Sequence, residues 1–232
     1  MNSDDAVNIL AIETSMGRTS IAIARPGEPV LAKRIESGRG QAEQLIPLIG
    51  ALMAEANLPF AALNRVAVCI GPGGFSGIRT GVAAGRGIGL AARIPVVGAT
   101  SFRIMAAAFE KAREAPKPYG LAAPAGMNAV YCQIVAPGER PLTDIVALPK
   151  GDCAAFFQEK KAKVLAGPAA AALGSEGFVS LPVAAQGLCP DAVILAEIAT
   201  SLDPVRDAPS PYYVRDADAR PQTSHVIALE CD

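Results

Sequence analysis

Histidine and tryptophan are almost missing from this chain of 232 residues, which contains one histidine, His225, and no tryptophan. A Ser–His catalytic arrangement needs a well-placed imidazole, and a helix-borne metal site of the two-histidine type needs a pair of them. His225 stands in a final segment, residues 216–232, that has no apolar period and that we expect to be mobile. We therefore predict neither a Ser–His triad nor a catalytic metal.

The sequence also lacks the features of exported and membrane proteins. Residues 1–5 are polar and acidic, unlike a secretory signal. The longest uncharged run, residues 118–138, is interrupted by prolines and glycines, unlike a membrane helix. The chain has five cysteines: Cys69, Cys132, Cys153, Cys189 and Cys231. Because their number is odd and none are in C-x-x-C spacing, they exclude a disulfide framework and fit a reducing compartment. We predict a cytoplasmic protein without membrane contact.

No excess charge is present, since 21 basic residues face 22 acidic ones. A hydrophobic fraction of 51% with 19% charged residues indicates a globular chain. The net charge of −1 gives no bulk attraction to phosphate backbones. If this protein works on nucleic acid, another subunit must supply much of the contact.

A strand, a glycine-rich loop and a helix follow one another in the first half. Residues 66–70 are a short apolar run typical of a buried strand, and residues 71–76 then read Gly-Pro-Gly-Gly-Phe-Ser. Such a loop at a helix N-terminus, with Ser76 as its N-cap, can hold an anion. Neither common nucleotide fingerprint, G-x-x-x-x-G-K-[ST] or G-x-G-x-x-G, occurs here. The pattern leaves open an anion site or a purely structural tight turn.

The helix after this loop carries a glycine every four residues: Gly77, Gly81, Gly85 and Gly89. Each costs about 1 kcal/mol of helix stability relative to alanine, so together they indicate a close contact with another element. That element is either the sheet of the same chain or the helix of a partner. The two possibilities remain open on spacing alone.

The remaining periodicities predict an α/β chain in two unequal halves. The first half reads β-β-β-α-β-α-β-α, with a helix over residues 41–57 and a later helix capped by Ser101. Pro47 should kink the first of these helices or force a late start. Residues 115–118 break the pattern, and a shorter version of the same order follows, ending in a helix capped by Asp191. We predict an N-terminal lobe over 1–114, a smaller C-terminal lobe over 115–215 and a tail over 216–232.

Three stretches together resemble the TsaB (YeaZ) family: residues 9–15 (ILAIETS), 71–81 (GPGGFSGIRTG) and 211–215 (PYYVR). The resemblance implies the two-lobed actin-like ATPase (ribonuclease H-like) fold. It also implies a non-catalytic scaffold that supports TsaD in threonylcarbamoyl transfer to the adenosine beside the tRNA anticodon. TsaE would be the second partner, tRNA would bind only through the complex, and a homodimer is expected when TsaD is absent.

The second half departs from the family pattern ahead of its Val-Tyr pair, residues 130–131. Where relatives commonly have Asp, Arg and Glu, this chain has Pro124, Gly126 and Ala129. In the actin-like fold, an acid in the second lobe helps to position metal and nucleotide, and Glu13 alone cannot form a metal site. We predict no catalytic residue, no metal and no resident cofactor, with ATP or ADP bound only in the assembled complex. The alternatives are a stand-alone actin-like ATPase or kinase, or a glycoprotease-like peptidase.

These considerations select two groups of candidate residues. A possible anion or nucleotide loop consists of Gly71, Gly73, Gly74 and Ser76, with Glu13 nearby. A partner interface, which the resemblance implies for the two helices, consists of Leu45, Ile49 and Leu52 with Gly77, Gly81, Gly85 and Gly89.

Overall fold

The computed structural model describes residues 7–36, 40–112 and 118–214. Its first half contains five strands and three helices: β1 (Ile9–Glu13), β2 (Arg18–Ala24), β3 (Leu31–Glu36), α1 (Gln41–Glu55), β4 (Arg65–Gly71), α2 (Phe75–Ala92), β5 (Val96–Thr100) and α3 (Ser101–Ala112). The predicted β-β-β-α-β-α-β-α order is confirmed.

The first sheet has the strand order β3-β2-β1-β4-β5. Short turns join β1, β2 and β3 as antiparallel neighbours, whereas β4 and β5 are parallel to β1 because helices provide the longer crossovers. Every residue of β1 is buried, as its central place requires, while β3 at the edge alternates between half-buried and exposed residues. This is the strand order of a ribonuclease H-like lobe, so the actin-like fold prediction is confirmed.

The second sheet repeats this order in a shorter form. Its elements are β6 (Tyr119–Pro124), β7 (Ala129–Ala136), β8 (Arg140–Pro141), β9 (Val146–Pro149), α4 (Cys153–Glu159), β10 (Leu165–Ala166), α5 (Ala170–Ser175) and α6 (Ala192–Ile198). Strand β7 pairs with both β6 and β9, and β10 lies parallel to β6. Where β5 stands in the first sheet, the second has a single parallel bridge between Leu165 and Val183. Because this fifth strand is reduced to one bridge, the second half has one strand pattern fewer in its sequence than the first half.

Each half contributes one helix to the packing of the other. Helix α6 buries Ala192 and Leu195 in a cluster with Ile9 and Ala67 of the first sheet. Helix α3 buries Phe102 and other side chains in a cluster with the second sheet, Tyr119 and Leu121 among them. The boundary predicted at 114/115 and the tail over 216–232 lie outside the described residues. The proposed lobe bounds stay a prediction, and α6 is the part of the second range that contacts the first sheet.

Three details of the helix ends differ from the sequence-based expectations. Gly74, not Ser76, is the N-cap of α2, because the helix begins one residue earlier than Ser76. At α3, Thr100 Oγ1 accepts from Arg103 N at 3.1 Å, while Ser101 Oγ donates to the Pro72 carbonyl. Helix α1 includes Pro47 and starts at Gln41, so the proline does not delay its start. The Asp191 cap of α6 is confirmed, since Val193 N donates to its Oδ1 at 2.9 Å.

Candidate functional site

A cleft of about 550 Å³ opens at the carboxyl ends of the central strands of both sheets. One wall is formed by residues 15–17 after β1 and residues 72–75 after β4, and the other by residues 124–126 after β6 and Pro168 after β10. Ligands of α/β proteins commonly bind at the carboxyl ends of the strands. The predicted loop Gly71–Ser76 therefore lies at the place where a ligand is expected.

The glycine loop is folded tightly onto the turn between β1 and β2. Gly74 N donates to the Ser15 carbonyl at 2.7 Å, so this N–H is already occupied. A Cβ on Gly73 would overlap the same carbonyl oxygen. Gly73 is needed because only a residue without a side chain lets the two backbones approach this closely.

Gly71 closes the loop from the other side. Its φ of +99° favours glycine, and an added Cβ would lie 2.7 Å from Ile78 Cδ1 and 3.2 Å from the Tyr212 carbonyl oxygen. Ser101 Oγ donates to the Pro72 carbonyl at 2.7 Å, and Tyr212 N donates to the Ile70 carbonyl at 2.8 Å. These contacts favour the tight-turn interpretation of the loop.

Glu13 lies beneath this turn and not among the residues that line the cleft. It is fully buried, and its Oε1 accepts from both the backbone N, at 2.6 Å, and the hydroxyl of Ser15. Burial raises the pKa of Glu13 to about 7, although the Ser15 hydrogen bonds act in the opposite direction. The carboxyl group holds the turn together, and this position does not bring it to a ligand in the cleft.

We predict that Glu13→Gln removes a pH dependence of folding stability. The pKa in the fold is about 7 against 4.5 for an exposed carboxyl, so between these values the folded chain binds more protons than the unfolded chain. Stability should then fall as pH rises from 4.5 to 7, by up to about 3 kcal/mol from this group. Urea unfolding at pH 5 and pH 7 should show this fall in the parent chain and in the exposed control Glu43→Gln. An equal fall in Glu13→Gln would contradict the assignment.

The chemistry of the cleft is neutral. Among the described residues that line it there is no Asp, Glu, Lys, Arg or His, and Pro124 and Gly126 stand where the family commonly has charged residues. Ala129, the third departure, is half-buried in β7 and does not line the cleft. Within the described ranges, no group of three or more His, Cys, Asp or Glu side chains could hold a metal ion. A phosphate group in this cleft would meet no charged side chain among the described lining residues; Arg79 lies behind them, against Phe75 and Tyr213.

Aromatic side chains at the mouth of the cleft were not selected from the sequence. Phe75 and Tyr213 have ring centroids 5.3 Å apart. The Arg79 guanidinium lies 3.6 Å from the Phe75 centroid, and Arg79 Nε donates to the Tyr213 hydroxyl at 3.0 Å. This cluster fastens the segment after residue 208 to α2. In the sequence, the Pro-Tyr-Tyr stretch at 211–213 contributes to the family resemblance but does not indicate a contact with α2.

The glycine ridge of α2 is not a partner surface, so that prediction is wrong. Gly77, Gly81, Gly85 and Gly89 are all buried. A Cβ would overlap Thr14 Oγ1 at Gly81, Val68 Cγ1 at Gly85 and Val96 Cγ2 at Gly89, all of them groups of the first sheet or the turn after β1. The ridge lets α2 lie close on its own sheet, which was the first of the two possibilities that the spacing left open.

The apolar face of α1 is also wrongly assigned to a partner. Leu45, Ile49 and Leu52 are at most 1% exposed and belong to the core cluster beneath the first sheet. They pack there because an amphipathic helix turns its apolar stripe to the core of its own chain.

The outward faces of the same two helices present exposed aliphatic and small residues beside charged ones such as Arg86. On α1, Ile46 is 55% exposed, and Gly50 and Ala54 follow it at intervals of four residues. On α2, Leu90 is 82% exposed next to Gly87. No atom lies within 4 Å of the position that a Cβ would take on Gly50 or Gly87. These residues, with Ala83, form what we call the outer helix face.

None of the helices in the described part of the chain combines the length and apolar character needed to cross a membrane.

Comparison with known proteins matches residues 34–146 to the family of TsaD, the tRNA N6-adenosine threonylcarbamoyltransferase. That range includes both helices of the outer helix face. A TsaB protein of Haemophilus influenzae, named for tRNA threonylcarbamoyladenosine biosynthesis, is 28% identical over 125 residues, covering 54% of this chain and 52% of that protein. An uncharacterized protein of Mycobacterium tuberculosis is 39% identical over 95 residues, covering 40% of this chain and 45% of its own. The alignments thus span about half the length of these relatives.

The solved structure of YeaZ from Pseudomonas aeruginosa superimposes with a TM-score of 0.73 at 24% identity, over 89% of this chain and 99% of that one. A second structure from the same organism, described as similar to peptidase YeaZ, gives 0.75 at the same identity, over 90% and 100%. These similarities show that the fold agrees along nearly the whole chain. The chain is thus similar to TsaB (YeaZ) proteins in its fold and in part of its sequence, and to the TsaD family over residues 34–146.

Proposed function

We propose that this chain is a non-catalytic subunit for tRNA threonylcarbamoyladenosine synthesis, and that it supports TsaD, which carries out the transfer. The pathway is supported by the names of its relatives, TsaB of Haemophilus influenzae and of Escherichia coli. The non-catalytic role is supported by one observation above all: the cleft at the carboxyl ends of the strands has no ionisable acid or base of the Asp, Glu, Lys, Arg or His type among its described lining residues. Such groups are the usual general acids and bases; the lining has Cys189 and three tyrosines, Tyr131, Tyr212 and Tyr213, but within the described ranges no group of three His, Cys, Asp or Glu side chains could hold a metal ion.

The outer helix face is the surface that we propose for TsaD. Two features make it suitable for a helical partner: exposed aliphatic side chains, Ile46 and Leu90, and small residues beside them, Gly50 and Gly87, that allow close approach. The TsaD-family match over residues 34–146 covers both helices, so the partner would present a related pair. When TsaD is absent, a second copy of this chain would cover the same face.

The finer assignments rest on the family resemblance. In that scheme the chain links TsaD with TsaE, and tRNA is bound by the assembled complex. The nearly balanced charge of the chain agrees with a subunit that does not bind tRNA alone.

We predict that the isolated chain does not bind ATP or ADP with a dissociation constant below about 10 μM, because none of the described residues that line the cleft is charged and Arg79 at its mouth is engaged by Phe75 and Tyr213. Isothermal titration with each nucleotide measures this, first on the chain alone and then on its complex with TsaD. Tight binding by the isolated chain that is lost in Gly74→Val would show that the loop is an anion site after all.

A phosphate-release assay separates this function from its alternatives. The chain alone should show no ATP hydrolysis above background, with or without Mg²⁺. Turnover near the enzyme median of roughly 10 per second without TsaD would favour a stand-alone ATPase or kinase. The peptidase alternative has no structural support, because the described residues contain no histidine to act as a base.

A further inference from the structure

Two buried thiols on the second sheet lie next to each other, away from the cleft. Cys132 stands in the middle of β7 and Cys153 begins α4, and their Sγ atoms are 3.7 Å apart. Both side chains are fully buried in one cluster with Phe157 and Leu165. The Cys132 sulfur is also 3.8 Å from the Val130 carbonyl, and the Cys153 sulfur is 3.5 Å from the Pro149 carbonyl.

We propose that Cys132 and Cys153 form a reversible disulfide that ties α4 to β7, with a small-molecule disulfide such as oxidised glutathione as the oxidant. A disulfide needs a sulfur–sulfur distance of about 2.05 Å, so the two atoms must approach by roughly 1.7 Å. The segment before Cys153 permits this shift, because Gly151 and Asp152 are exposed in a single 3₁₀ turn, Lys150–Asp152.

The exchange takes place in two steps that balance. When the exposed turn Lys150–Asp152 opens and uncovers the buried Cys153 sulfur, the Cys153 thiolate attacks one sulfur of oxidised glutathione, which breaks the S–S bond, forms a mixed disulfide and releases one glutathione thiolate. The Cys132 thiolate then attacks the Cys153 sulfur and releases the second glutathione. Two protein thiols are oxidised, and one oxidised glutathione is reduced to two thiols. Cys153 attacks first because the Cys132 hydrogen bond to its sulfur lowers the pKa of Cys153.

The other cysteines of the described residues are unsuited to this role. Cys69 is buried, and its thiol donates to the Ser15 hydroxyl at 3.4 Å and not to another sulfur. Cys189 is half-buried at the cleft, away from the second-sheet cluster that holds Cys132 and Cys153. A bond between positions 132 and 153 would close a loop of about 20 residues and would therefore stabilise the second half by restricting the unfolded chain.

The test uses the full chain with Cys189→Ser and Cys231→Ser, which removes two thiols that could react alone. The native protein is incubated with oxidised glutathione, and intact mass and non-reducing peptide mapping are then recorded. We expect a loss of two protons in mass, a cross-linked peptide containing positions 132 and 153, and a rise in melting temperature of roughly 5 °C, all reversed by dithiothreitol.

Cys132→Ala and Cys153→Ala in the same background must each abolish the cross-link. As a positive control, the chain with Cys189→Ser and Cys231→Ser is treated in the same way in 6 M urea, where unfolding exposes its thiols and disulfide formation shows that the oxidant is active. If the urea sample forms disulfides while the native sample keeps both thiols free, the proposal is overturned. It is equally overturned if the native bond joins Cys69 to either residue, or if the bond lowers the melting temperature.

Discussion

Gly85→Leu is expected to unfold the protein or to destabilise it severely. Even the first carbon of the new side chain would overlap Val68 Cγ1, and it would also lie 3.4 Å from Val66 Cγ1, in the centre of the first sheet. Overpacking a rigid core costs about 1–3 kcal/mol and more for larger additions, and a leucine adds four carbons at a contact with no space for one. We expect a loss of at least about 3 kcal/mol, or ~10 °C in melting temperature, by thermal unfolding followed with circular dichroism.

Gly87→Leu, two residues further along the same helix, is the matched control. Gly87 is exposed and its Cβ position is open, so the only local effect is the better helix propensity of leucine. A gain of up to about 1 kcal/mol is expected. If instead Gly85→Leu melted like the parent chain, α2 would not be held against its own sheet in solution.

Gly87→Leu is also expected to prevent assembly with TsaD while the chain stays folded. If the outer helix face meets a helix pair of the partner, a leucine at Gly87 holds the two backbones apart and moves Ile46 and Leu90 out of contact. Disruption at the centre of an interface typically removes about 2 kcal/mol or more, so the affinity should fall by at least roughly 30-fold. Analytical size exclusion and titration with TsaD measure the loss.

The control for assembly is Gly151→Leu, the same substitution at an exposed glycine with open space, located on the second half. It should bind TsaD like the parent chain. Normal binding by Gly87→Leu and by the charged variant Leu90→Glu would move the partner surface elsewhere on the molecule.

The elements of the first half were predictable because their periods are strong. A short apolar run such as residues 66–70 predicts a buried strand at the centre of a sheet, and the structure has that strand there. The glycine ridge shows where this reasoning ends. Its spacing specified a close contact but not the partner in that contact, since a helix lies equally close on a sheet or on another helix. Only the positions of Val68 and Val96 decide between them.

The role of the candidate loop stays a prediction, and the sequence did not reveal which side chains line the cleft beside it. The loop Gly71–Ser76 does border the cleft, because a loop after a central strand must emerge there. Glu13 is held by hydrogen bonds from Ser15, only two positions away, whereas Tyr213 is brought to α2 through Arg79, 134 positions away in sequence. No local pattern encodes the contact between Arg79 and Tyr213.

The most direct test of the proposed function measures the threonylcarbamoyladenosine that TsaD forms in unmodified tRNA. The reaction contains TsaE, ATP and threonylcarbamoyl-adenylate, and the modified nucleoside is quantified by mass spectrometry of the digested tRNA. We predict that modified nucleoside accumulates when this chain is present, falls to background when it is omitted or replaced by Gly87→Leu, and is absent when this chain replaces TsaD. Equal modification with and without the chain would contradict its supporting role, and modification by the chain without TsaD would contradict its non-catalytic one.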